Sequence, residues 1–377
     1  MAKARRTAHW ARRLLARAPT PVALGLGAIG GAAFAALGLP LPWLLGALAA
    51  TTLASLGGLE LRVPERLRRP MIAVLGAMLG TTFVPERLDG ALGWLTSLAA
   101  LPIYVVLVGG LIFLFLRRCS DFDPTSAFFA ATPGGLSEMI ALSDQLGGDQ
   151  RRVSLVHGAR LLFIVSTIPF IAQIFGYEPP ERPSSLDLSF DPQGLAVLAA
   201  LGALGYVLAR RLRLPAATFV GPLLGSAAAH LAGWIEVDPP YLLMAFAQLV
   251  LGSAVGARFS GTPLALIGRA LLLGAGATVI MLLITLAFGA GLHALTGHAL
   301  PLLLLAFIPG GFTEMSLIAL AMGVDPAFVV THHSVRVFLV VLIALPAFAW
   351  LKRKGRLGPG GPGTTCSQGS RPVAHRE

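Results

Sequence analysis

Two carboxylates, two histidines and two arginines recur in one order along this chain, and all six fall in or beside apolar stretches. Glu138 lies in Pro133-Gly134-Gly135-Leu136-Ser137-Glu138-Met139, and Glu314 in Pro309-Gly310-Gly311-Phe312-Thr313-Glu314-Met315. His157 and Arg160 follow the first motif, and His333 and Arg336 follow the second. From position 133 to 309 the offset is 176, and it also relates 157 to 333 and 160 to 336. Pro removes a backbone donor and paired glycines allow shapes that other residues avoid, so each motif reads as a helix break. Ser137 and Thr313 then stand where a helix N-cap is expected, with Glu138 and Glu314 in the first turn. A helix N-terminus carries about half a positive charge and stabilises a carboxylate there.

Two readings of the carboxylates compete. Each Glu either only helps to start a short helix, or the two breaks meet and hold a solute or coupling ion. On the second reading Pro133, Gly134, Gly135, Ser137, Glu138, Pro309, Gly310, Gly311, Thr313 and Glu314 form the substrate or ion site. His157 and Arg160 are three apart and share a helix face, as do His333 and Arg336. Three roles stay open for them: ion-pair partners of Glu138 and Glu314, ligands of an anionic substrate, or a proton relay through the histidines. The first is favoured for the arginines, because an unpaired charge inside a span is costly.

The elements that must position these residues are apolar throughout. Of 377 residues, 55% are hydrophobic and only 12% charged, with a mean hydropathy of +0.76. Soluble chains carry about 25% charged residues, so lipid is the expected environment. The 44 Gly and 27 Pro sit inside apolar stretches, where Gly permits close helix packing. The excess of basic residues, net +11, lies at the ends of those stretches. It reads as an orientation signal rather than a nucleic-acid surface. Arg269 lies within ALIGRALLL without a sequence-adjacent partner and is expected to snorkel to the inner surface.

Apolar segments fall at about 21–39, 42–59, 71–84, 91–116, 124–143 and 153–176, then at about 194–209, 215–235, 240–257, 263–292, 299–322 and 327–351. Gly76-x-x-x-Gly80 returns as Gly252-x-x-x-Gly256, and Pro40 and Gly46 as Pro215 and Gly221. A nearly constant offset along the whole chain means duplication. The expected organisation is a basic cytoplasmic arm (1–19), membrane repeat one (20–176), an acidic external linker (177–193), membrane repeat two (194–351) and a disordered cytoplasmic tail (352–377).

Charge placement also predicts orientation. If each Pro-Gly-Gly segment is re-entrant or broken, Arg151, Arg152 and the basic C-terminal cluster stay cytoplasmic with the N-terminus. The expectation is an all-α polytopic membrane protein of two inverted repeats, each with about five transmembrane helices plus one broken segment. Twelve full spans with parallel repeats would misplace those arginines. The expected location is a bacterial inner membrane, crossed several times, with both termini cytoplasmic.

Chemistry beyond translocation finds little footing in the sequence. Cys119 and Cys366 define no disulfide framework. His332 beside His333 lacks a third ligand at suitable spacing, and neighbouring helical residues point apart. No catalytic residue, metal site, cofactor or nucleotide fingerprint is expected. The expected partners are the lipid bilayer, a small solute and a coupling ion, proton or sodium. Direct nucleic-acid binding is not expected, and the sequence leaves a homo-oligomer open.

ATPGGLSEM at 131–139, FIPGGFTEMSLIALAMGVD at 307–325 and HHSVR at 332–336 resemble the AbrB-type membrane protein family over roughly residues 20 to 351. The resemblance implies a duplicated membrane module. Members are labelled regulators of gene expression or ammonia monooxygenases, and the family is distantly similar to inverted-repeat transporters with broken helices. The monooxygenase label would need a redox metal or cofactor site. The readings in order are a secondary transporter of a small solute, a membrane-embedded regulator acting indirectly or through a partner, and a membrane monooxygenase.

Overall fold

A computed structural model of the protein describes residues 19–85, 90–174, 192–235, 237 and 240–355. The basic arm at 1–18, the acidic linker at 177–191 and the tail from 356 lie outside the described residues. Within them the chain is helical, with no strand.

Repeat one contains α1 (Pro19–Ala36), α2 (Pro42–Leu56), α3 (Glu65–Gly80), α4 (Trp94–Cys119), α5 (Pro124–Ala131), α6 (Leu136–Gln145) and α7 (Gln150–Ile174). Repeat two contains α8 (Pro192–Arg211), α9 (Ala217–Leu231), α10 (Tyr241–Gly256), α11 (Leu264–Thr296), α12 (Leu300–Phe307), α13 (Phe312–Ala321) and α14 (Pro326–Arg353). The two sets match element for element. Seven helical segments, among them α1, α4, α7, α8, α10, α11 and α14, are long and apolar enough to cross a membrane. The protein is a polytopic all-helical membrane protein.

Equivalent elements use equivalent local devices. Asp149 accepts hydrogen bonds from the amides of Arg151 and Arg152 at 2.9 and 3.1 Å. Asp325 accepts from Ala327 and Phe328 at 3.0 and 3.5 Å. These N-caps start α7 and α14, the helices that carry the repeated His and Arg. Leu41 (φ 45°) and Ala216 (φ 51°) enter α2 and α9 in the left-handed region that non-glycine residues rarely adopt.

Packing is also reciprocal. Within repeat one α1 lies on α2 where Gly30 meets the carbonyl of Gly46; within repeat two α8 lies on α9 where Gly205 meets that of Gly221. Between repeats, Gly76 of α3 faces the carbonyl of Phe219 in α9, and Gly252 of α10 faces that of Leu44 in α2. Backbones this close leave no room for a Cβ, which is why the small-residue pairs recur. Tyr104 in α4 is fully buried and bonds Thr285 of α11 at 2.6 Å, joining two long helices, one from each repeat.

One sequence expectation needs correction. The short apolar segment at 71–84 belongs to a helix that begins at Glu65, so Arg66, Arg68 and Arg69 occupy its first turns. Glu65 pairs with Arg68 and Arg69 there, which lets charge enter the helix. Arg269, which has no sequence-adjacent partner, reaches Asp121, 148 residues away, at 3.1 and 3.3 Å, and Arg152 approaches the same carboxylate at 3.6 Å.

Candidate functional site

The helix breaks form as two short pairs. Each of α5 and α12 is 8 residues, about 12 Å long at 1.5 Å per residue, so neither crosses a hydrocarbon core of about 30 Å. Thr132 and Ile308 leave these helices in extended conformation, with ψ of 125° and 129°. The chain turns through Pro-Gly-Gly and re-enters helix at Leu136 and Phe312. The N-caps are therefore Gly135 and Gly311, not Ser137 and Thr313, which lie at the second helical position.

This places Glu138 and Glu314 at the third helical position, from which a carboxylate folds back toward the N-cap. Each carboxylate does lie over its own N-cap glycine, where a Cβ would collide with it. Glu314 is 8% exposed and accepts a hydrogen bond from the hydroxyl of Thr313 at 2.8 Å. Glu138 is half-buried. Both thus serve the starts of α6 and α13 while also facing open space.

The open space is shared. A cavity of about 540 Å³ is walled by both Pro-Gly-Gly breaks together with Glu138, Glu314, Arg160 and Arg336. The breaks also touch the opposite repeat. A Cβ at Gly134 would collide with Val340 of α14, and one at Gly311 would crowd Leu161 of α7. The cavity leads outward between the start of α3 and the end of α8, where Arg69 and Arg210 are exposed.

The arginines of α7 and α14 take backbone partners. Arg160 is 4% exposed and donates to the carbonyl of Ala130 at 3.4 Å. Arg336 is 3% exposed and donates to those of Phe307 and Ile308 at 3.1 and 2.9 Å. Each guanidinium so neutralises the negative C-terminal end of a half-helix, α5 or α12, whose last carbonyls lack helical partners. Among the described residues no ion pair joins Arg160 or Arg336 to Glu138 or Glu314, the pairing favoured from sequence. Carbonyl partners leave no sequence signature, which is why reading the chain did not find them.

The histidines diverge. His333 donates through Nε2 to the carbonyl of Leu305 at 2.9 Å, so its Nδ1 accepts from Arg336 at 2.9 Å. His157 instead bonds through Nδ1 to Val153 on its own helix at 3.2 Å. His332 points away from His333: it stacks on Phe328 with centroids 4.0 Å apart, and its Nε2 lies 2.8 Å from Ser97. Trp94 closes edge-on against Phe328 at 5.5 Å. This buried cluster lies near the N-terminal end of α14 and joins it to the start of α4.

Sequence reading also missed residues from outside the repeated motifs. Arg68, Arg210 and Arg258 line the same cavity, though in sequence they read only as orientation markers. No short motif announces them. Their shared position at helix ends that converge is the only clue.

A family model described as "Transition state regulatory protein AbrB" matches residues 5–352. The chain belongs to the AbrB family. A protein of Bacillus subtilis (strain 168) named "Uncharacterized protein YhjN" is 28% identical over 353 residues, covering 87% of this chain and 92% of the relative. A protein of Escherichia coli (strain K12) named "Putative regulator AbrB" is 25% identical over 319 residues, covering 84% and 91%. Family membership therefore spans the whole duplicated body rather than one helix bundle within it.

Proposed function

We propose that the chain is a secondary transporter of a small solute, set in an inner membrane with both termini cytoplasmic and its two repeats inverted. One observation carries this reading: two interrupted membrane helices, one from each repeat, wall a single cavity reached from one end of the molecule. Irregular backbone in a membrane is tolerated where it lines a cavity, and paired broken helices between inverted repeats are a solute-site architecture. The odd number of crossings per repeat that the basic residues ask for makes the repeats antiparallel. The packed cluster of Trp94, Ser97, Phe328 and His332 would then close the outer side, and rocking between bundles would alternate access. A proton or sodium gradient would drive the cycle.

The test is uptake into proteoliposomes under an imposed proton or sodium gradient, with labelled amino acids, carboxylates and inorganic ions as probes. Gradient-dependent uptake of at least one probe, reduced in Glu138→Gln and Glu314→Gln, is expected. Equal uptake by all three proteins removes the carboxylates from the mechanism. No uptake of any probe by the wild type ends the transport reading.

The relatives' names favour a second reading, a membrane regulator. A solute carrier changes gene expression through solute levels, so this activity would follow indirectly. A regulator acting through a partner would need residues 1–18 or 356–377. A regulatory phenotype that persists after both are deleted counts against it. Neither reading makes the chain an enzyme or a direct nucleic-acid binder.

A further inference from the structure

The cavity's charge is lopsided. Its walls carry Arg68, Arg69, Arg160, Arg210, Arg258 and Arg336, and no lysine or aspartate. Three glutamates oppose these six arginines, and none is available to the deep pair. Glu65 is held by Arg68 and Arg69 at 2.7 and 3.3 Å. Glu138 and Glu314 are folded over the starts of their own helices. Arg160 and Arg336, each nearly fully buried, line the same cavity with like charge.

Among the described residues, several donors in these walls have no acceptor. The Nε of Arg336, the Nη1 of Arg258 and the Nε of Arg68 are buried and make no hydrogen bond. A buried donor left without an acceptor is costly, more so when charged. A cation here would meet six guanidinium groups. An anion would supply the missing acceptors and separate the two like charges.

Resting on the transport reading, we propose that the solute is a small organic oxyanion, bound between Arg160 and Arg336 in the arginine-lined cavity. A volume of about 540 Å³ exceeds what a bare ion needs and suits a molecule of several carbons. The pairing of one arginine from each repeat favours a species with two anionic ends, because planar guanidinium groups bind carboxylate and phosphate by paired hydrogen bonds.

Binding to the purified full-length protein in detergent tests this without requiring translocation. Succinate, citrate, inorganic phosphate and chloride are the anionic probes; putrescine and glucose are the cationic and neutral ones. At least one of the two carboxylates is expected to bind by calorimetry and raise the thermal midpoint. Binding should weaken at least tenfold in Arg160→Gln and Arg336→Gln. Arg258→Gln, which removes no carbonyl cap, covers the case in which either of those fails to fold, and should also weaken binding. Arg269→Gln, on the surface pair with Asp121, should bind as the wild type does. The proposal is overturned if neither carboxylate binds, if chloride, phosphate, putrescine or glucose binds more tightly, or if the folded arginine variants bind unchanged. Carboxylate binding without uptake into proteoliposomes keeps this site and ends the transport reading. Uptake of only a neutral or cationic solute does the reverse.

Discussion

The two copies of the broken segment share a sequence pattern and differ in how tightly they are held. In repeat two, Arg336 bonds two carbonyls and His333, His333 bonds Leu305, and Thr313 bonds a buried Glu314. In repeat one, Arg160 has a single long bond to Ala130, His157 turns to its own helix, and Glu138 is half-buried. The offset therefore conserves residue types and element ends but not the network. Duplication supplies two copies of one break, and their surroundings decide which is a fixed wall and which is loosely tethered.

Stability measurements on matched substitutions can break that contrast. The largest difference is expected at the arginines. Arg336→Ala removes the donor to two carbonyls and to Nδ1 of His333 and should destabilise by about 3–5 kcal/mol, against about 1–2 kcal/mol for Arg160→Ala. Equal loss in the thermal midpoint of the detergent-solubilised protein would make the contrast one of geometry only. Next in size, Gly46→Ala and Gly221→Ala should each destabilise by about 1–3 kcal/mol through overpacking, and by similar amounts, because both glycines sit on an equivalent carbonyl. Strongly unequal effects there would show that the scaffold, and not only the site, has diverged. The smallest difference is expected at the carboxylates. Glu314→Gln should lower stability by about 1 kcal/mol, and Glu138→Gln by less, since only Glu314 is buried with a described hydrogen-bond partner.

Much of the scaffold was legible in the chain. The offset of 176 located both breaks, and composition required membrane helices. Segment ends fell within a few residues of the helices because charges and prolines mark them physically. The start of α3 was missed because an apolar count stops at charge, whereas a helix continues through Arg66, Arg68 and Arg69 when Glu65 pairs beside them. The site was legible in membership but not in wiring. Arg160 and Arg336 were singled out for the right reason, the need to satisfy a buried charge. Their partners proved to be carbonyls of α5 and α12, which every residue possesses and no residue type advertises. The contribution of Arg258 and Arg210 depended on which helix ends converge in space, and the link from Arg269 to Asp121 spans 148 positions.

For the proposed oxyanion, the exposed arginines at the mouth and the buried ones at its floor would divide capture from retention. Charges at Arg69 and Arg210 stand in water, where salt screens them over about 8 Å at physiological ionic strength. For the oxyanion proposed above they would act at a distance and set the rate of encounter. Arg160 and Arg336, enclosed by protein, are shielded far less and would govern residence time. Raising the ionic strength would therefore slow loading while leaving departure nearly untouched.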